Sequence, residues 1–118
     1  MSRDVPESLQ YILTRYSSPT VIQAAILYNM KKRHIEGKPY TRTGDIIIAI
    51  NPFQWFTELY TEKKRTYYSN RIVWEPSDND PRDGMEPHVY EVSALSYKGL
   101  AFGHQDQSIL VSGESGAG

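Results

Sequence analysis

Cysteine is missing from the 118 residues. That excludes a disulfide scaffold and any thiolate metal site, and it fits a reducing compartment. Long apolar runs are missing too. The longest wholly aliphatic stretch is Ile46 to Ile50, far short of the roughly 20 residues that span a bilayer. The opening Met1-Ser2-Arg3-Asp4-Val5-Pro6 has no apolar h-region, so a signal peptide is not expected. Charge of either sign is not in excess: 13 Lys and Arg stand against 14 Asp and Glu, a net charge of −1. A basic field of the size that nucleic acid demands is therefore not expected. His34, His88 and His104 share no metal-ligand spacing and no H-E-x-x-H occurs, so each is expected as a surface or capping histidine and no metal site is expected. There is no internal repeat and no low-complexity tract. The expectation is a soluble intracellular chain of one small domain, residues 1–118, with no membrane span. Hydrophobic residues at 39% and nine tyrosines suffice for a core.

What is present is concentrated at the end. Ile109-Leu110-Val111 runs into Gly113-Glu114-Ser115-Gly116-Ala117-Gly118. The pattern predicts a buried strand, Gln107 to Val111, feeding a glycine-rich loop. The six loop residues fit the first part of the phosphate-binding pattern G-x-x-x-x-G-K-[ST]. Such a cradle needs glycines because backbone N–H groups must approach phosphate oxygens with no Cβ in the way. A following helix N-terminus would add partial positive charge. The Lys that contacts the outer phosphates and the hydroxyl that holds Mg²⁺ are not in the sequence. The alternative reading of these residues alone is a flexible Gly-Ser tail. Gly113-Glu114-Ser115-Gly116 is not G-x-S-x-G, so a nucleophile elbow is not supported. Glu114 is placed to shape the loop rather than to act as a base.

Upstream, residues 4–16 suggest a short helix carrying Leu9, Ile12 and Leu13. Ser18-Pro19 reads as a helix start. The helix to about His34 sets Ile22, Ile26 and Met30 on one stripe. Its basic end, Lys31 to His34, suits the C-terminal helix dipole; an actin- or phosphate-binding patch is the other reading. Gly37 to Pro39 breaks the helix and Tyr40 to Thr43 has strand composition. Gly44-Asp45 turns the chain, and Ile46 to Ile50 predicts a strand buried on both faces. Asn51-Pro52 ends it, Phe53 to Tyr60 is an aromatic loop, and Thr61 is the candidate cap of a helix to about Ser69. Residues 71–86 hold prolines and four acidic residues between Glu75 and Asp83, which predicts a solvated loop. A last helix starts at Pro87, with Tyr90, Ala94, Tyr97 and Ala101 on one stripe and Gly103 past its end.

Three ordered motifs give the chain a family resemblance. Ser108 to Gly118 resembles the strand and P-loop of the myosin motor domain, with Glu114 and Ser115 between the glycines as its mark. Pro87-His88-Val89-Tyr90 is similar to the myosin segment that enters that strand. Ile46 to Phe53 resembles the strand that ends in the myosin purine-binding loop, and Ile26 to Arg33 the helix before it. The resemblance covers about Val5 to Gly118. It implies an α/β fold: part of a P-loop NTPase motor domain, mixed-sheet strands with flanking helices, reaching to the phosphate-binding loop. It implies a cytoplasmic ATPase that, with Mg²⁺, drives movement on actin filaments, associated with the cytoskeleton. Gly113, Glu114, Ser115, Gly116, Ala117 and Gly118 would be phosphate-side residues, and Asn51, Pro52 and Tyr60 counterparts in the adenine loop. The Asn51-to-Tyr60 spacing is one residue longer than the commonest myosin pattern, and Thr57 and Glu58 stand where a proline is usual. From the residues alone, Asn51-Pro52 is simply a turn. The resemblance implies no catalytic residue within this chain: the P-loop Lys and Thr, both switch segments and the actin-binding cleft lie downstream in myosins. Alternatives are another P-loop NTPase, with kinesin the nearest mechanical analogue, or a non-catalytic myosin-like remnant serving as an interaction module.

Overall fold

The structure, a computed structural model, describes residues 19–114. The expected first helix over residues 4–16, the Ser18 cap and residues 115–118 lie outside the described residues. Two compact units divide at Pro52 and Phe53.

The described part of the first unit is a helix followed by a hairpin. Helix α1, Pro19–Ile35, includes Ala, Leu, Met, Lys and Arg, which lose little rotamer freedom in a helix. It ends in a Schellman cap: Lys38 N–H donates to the Arg33 carbonyl at 2.9 Å and Gly37 N–H to the His34 carbonyl at 3.1 Å. The cap needs a left-handed residue, and Gly37 takes φ 75°. Strands β1, Tyr40–Thr43, and β2, Ile46–Ala49, pair antiparallel from Tyr40↔Ala49 to Thr43↔Ile46. Gly44 is first in the two-residue turn at φ 60°, the place where a II′ hairpin turn requires glycine. A Cβ there would meet nothing within 4 Å, so conformation rather than space requires glycine.

Two sequence expectations for this unit are corrected. The buried row of α1 is Ala25, Asn29 and Arg33, not Ile22, Ile26 and Met30; Ile22 is exposed and the other two half-buried. The reason lies in Arg33. Its Nε and Nη2 donate to the Tyr40 carbonyl at 2.9 and 2.7 Å, which turns the arginine side of α1 toward β1. One residue of the basic run is thus a structural tie and not surface charge. Strand β2 is not buried on both faces: Ile46 is 67% exposed and Ile47 and Ile48 are half-buried. Among the described residues its one ladder partner is β1.

The second unit starts with a 3₁₀ turn, Thr57–Tyr60. Thr61 caps helix α2, Glu62–Ser69, its hydroxyl accepting from the Lys64 N–H at 3.2 Å, as its sequence position suggests. The helix widens into a π turn, Asn70–Trp74, closed by Glu75 N–H donating to the Asn70 carbonyl at 2.8 Å. Helix α3, Val89–Ala101, packs against both. Tyr68, Ile72, Val73, Met85 and Ala94 form the core, with Tyr90 and Leu95 at its margin.

The solvated loop is therefore shorter than 71–86. Ile72, Val73 and Met85 are core residues, and exposure is continuous only from Trp74 to Asp80. No helix breaker stands before Pro76, so α2 runs on through its π turn and buries the next two apolar side chains. In α3 the buried residues are Glu91 and Ala94, while Tyr97 is exposed. The expected strand before the glycine loop is absent: residues 104–114 have no regular structure and Leu110 is 92% exposed. A strand is held by ladder hydrogen bonds, and among the described residues no strand pairs with this run. The only sheet among them is the antiparallel hairpin, so the described residues are helices with a small two-stranded sheet, consistent with the α/β class.

Candidate functional site

A tightly organised polar group in the second unit surrounds His88. This residue is the N-cap of α3 in a reciprocal capping box. Its Nδ1 accepts from the Tyr90 N–H at 3.0 Å, and its own N–H donates to Glu91 Oε1 at 3.1 Å. A backbone N–H can only donate, so Nδ1 carries no proton. The proton then sits on Nε2, which lies 2.8 Å from the Leu59 carbonyl, a group that can only accept. Both ring nitrogens are satisfied in one neutral tautomer. The ring lies 4.2 Å from that of Tyr90, tilted by 31°, and 5.0 Å from that of Tyr68. The Tyr68 hydroxyl donates to the Glu86 carbonyl at 2.6 Å.

Tyr60 closes the 3₁₀ turn beside this cluster. Its ring meets His88 edge-on at 5.6 Å and Tyr90 at 6.3 Å, yet Tyr60 stays 48% exposed. Earlier in the same loop Phe53 and Trp55 are 89% and 94% exposed. Phe53 sits at φ 53°, a left-handed conformation that costs an aromatic residue about 1–2 kcal/mol. Strain of this kind gathers at ligand-binding segments.

Burial holds the His88 imidazole below its ordinary pKa of 6.5, with nearby Lys64 acting in the same direction; the Leu59 hydrogen bond and Glu91 act against them. Arg82 stands behind Glu91, its Nη1 4.0 Å from Glu91 Oε2. Tyr60, Tyr68 and Tyr90 complete the surroundings. The unfolded chain takes up the proton first as the pH falls, so the His88 contribution to stability is full above pH 6.5 and is lost progressively below it. Denaturant midpoints measured between pH 7.5 and 5.5 are expected to fall, and the fall is expected to shrink in His88→Asn, which keeps a capping acceptor but does not titrate.

The residues singled out in the sequence are distributed as follows. Asn51 is exposed and Pro52 half-buried, directly after β2 in the first unit. Tyr60, Gly113 and Glu114 belong to the second unit, and the two loop residues are exposed. Ser115, Gly116, Ala117 and Gly118 lie outside the described residues. Sequence reasoning placed His88 among surface or capping histidines, and the cap is found, but its hold on the Leu59 carbonyl was missed. The readable signal was His88-x-x-Glu91, the spacing of a capping box with histidine in the Ser or Thr position. Among the described residues, no group of three His, Cys, Asp or Glu could hold a metal ion, and no helix is long and apolar enough to cross a membrane.

Comparison with known proteins decides the family. The family described as Myosin head (motor domain) matches residues 16–118. The chain belongs to the myosin motor-domain family. It is 40% identical over 96 residues to Myosin-15 of Arabidopsis thaliana, covering 81% of this chain and 6% of that protein. Protein OPAQUE1 of Zea mays is 40% identical over 97 residues, again 81% of this chain and 6% of the relative. Myosin-H heavy chain of Dictyostelium discoideum is 38% identical over 96 residues, 81% of this chain and 5% of the relative. The chain thus spans about 6% of the length of the curated relatives it matches.

Proposed function

We propose that this segment works within an ATP-driven motor that moves on actin filaments, a cytoplasmic protein associated with the cytoskeleton. In that motor Asn51, Pro52 and Tyr60 contact the adenine, and Gly113 to Gly118 supply the backbone half of the phosphate cradle. The observation that carries the reading is a myosin motor-domain match that runs through the glycine loop to residue 118. ATP would be the substrate and Mg²⁺ would assist phosphoryl transfer, which rests on positioning and charge stabilisation. The residues here suit the binding part of that task. Glycine-loop N–H groups offer hydrogen bonds to phosphate. A tyrosine ring with one edge packed and about half its surface open can meet a base. The groups that contact the outer phosphates and hold Mg²⁺ are not among these 118 residues.

The two elements have separable tasks, and this gives the test. In the complete motor Tyr60→Ala is expected to weaken ATP more than GTP, by about 1 kcal/mol if one base contact is lost. Titration with fluorescent analogues of both nucleotides measures the difference. Equal losses for ATP and GTP would make the loop structural and would remove the adenine-binding role.

A further inference from the structure

We propose that His88 is a positioning residue for the base-side loop: clamped on the Leu59 carbonyl and set against the edge of Tyr60, it fixes that ring for a purine base. The inference rests on the reading of Tyr60 as a base contact, and it assigns the cause of that ring's placement. His88 lies 28 residues downstream in sequence from Tyr60, on a different element, yet it holds the 3₁₀ turn at the residue just before Tyr60.

His88 has almost no freedom of its own. Its ring is held at both nitrogens, its backbone N–H is held by the buried Glu91, and Tyr68 and Tyr90 crowd the ring. A group fixed in this way transmits its position to whatever it bonds. The Leu59 carbonyl is therefore tied to the first turn of α3, and the next residue, Tyr60, starts from a fixed backbone with its ring edge against the imidazole. A ring ordered before binding loses less entropy when a base meets it. Histidine suits the task because one side chain caps a helix, donates to a carbonyl and offers an aromatic ring. An asparagine in its place could cap α3 but would offer neither the second hydrogen bond, 2.8 Å away on the far ring nitrogen, nor the ring.

The experiment compares His88→Asn, Tyr60→Ala and the double variant in the complete motor, with ATP, GTP and inorganic tripolyphosphate as probes. The expected result is a loss of ATP-over-GTP discrimination of about fivefold in His88→Asn, the size of one hydrogen bond. Tripolyphosphate affinity is expected to hold, and the double variant is expected to discriminate no worse than Tyr60→Ala alone. A uniform loss for all three probes would reduce His88 to a structural cap and overturn the proposal. Selective loss in Tyr60→Ala with none in His88→Asn would also overturn it, while leaving the base-loop reading intact. Unselective loss in Tyr60→Ala would remove that reading and the proposal with it. If His88→Asn does not fold, the unmodified motor decides through its histidine ring ¹⁵N signals. ATP is expected to shift those of His88 and tripolyphosphate to leave them in place; no response to ATP, or the same response to both, overturns the proposal.

Discussion

On its own, the 118-residue chain is expected to release phosphate from Mg·ATP at the rate of the protein-free blank. Phosphoryl transfer gives a protein little covalent work. Catalysis comes from charges and dipoles held where negative charge develops. In the P-loop pattern the first cationic donor is the Lys that follows the last glycine, and the next residue supplies the hydroxyl to the metal. Neither is in this sequence. Loss of a single preorganised donor typically lowers turnover by about 10²–10³, so loss of both leaves nothing above background. The described residues point the same way. Without a paired strand to launch it, the segment leading to Gly113 is exposed and irregular, whereas a cradle must be rigid before phosphate arrives. A phosphate-release assay on the purified chain checks this. A clear turnover that disappears in Gly118→Val would sink the expectation.

How far the fold was legible depended on how local its causes are. The Thr61 cap, the Gly37 helix end and the Gly44-Asp45 turn were all readable, because each is set by the conformational demands of a few adjacent residues. What failed depended on neighbours. The run Ile46 to Ile50 has the composition of a doubly covered strand, and so does Ile109 to Val111, but composition cannot supply a covering layer or a ladder partner. The α1 stripe was misjudged for a related reason. Its isoleucines mark the apolar side, whereas the side facing β1 was chosen by a guanidinium reaching a carbonyl, an interaction without a periodic signature. Prolines and acids marked residues 71–86 as loop too early, since Ile72 and Val73 precede the first breaker and fill the space beside Tyr68 and Ala94.

The proposed site was read from the sequence in a different way. The glycine spacing spoke through backbone chemistry and the Asn51-Pro52 end through turn chemistry, but neither reveals what orders the aromatic loop between them. That information sits in His88, whose capping role is local and whose bond to Leu59 is not. The chain therefore divides into positions that a few neighbouring residues explain and positions that only a long-range contact explains. Tyr60 is of the second kind, so its effect on binding is expected to depend on His88.

Gly118→Val in the complete motor is accordingly expected to weaken ATP and GTP alike. In the proposed site the backbone N–H groups of the glycine loop would meet only phosphate oxygens, and both nucleotides carry the same triphosphate. A branched side chain at the last glycine of the pattern would put carbon where phosphate must approach. Each hydrogen bond to a charged group is worth about 1.5–3 kcal/mol. Displacing the phosphates from one or two of them would cost about 3 kcal/mol, on the order of a hundredfold in affinity. That is well beyond the effect expected of Tyr60→Ala, and it carries no base preference. Equilibrium binding of ATP, GTP and tripolyphosphate to the variant gives the measurement, with folding checked by circular dichroism. A folded variant that keeps its tripolyphosphate affinity would show that Gly113 to Gly118 is not the phosphate cradle. A loss confined to ATP would mean that the valine acts through the base side, and the division of labour between the two loops would have to be abandoned.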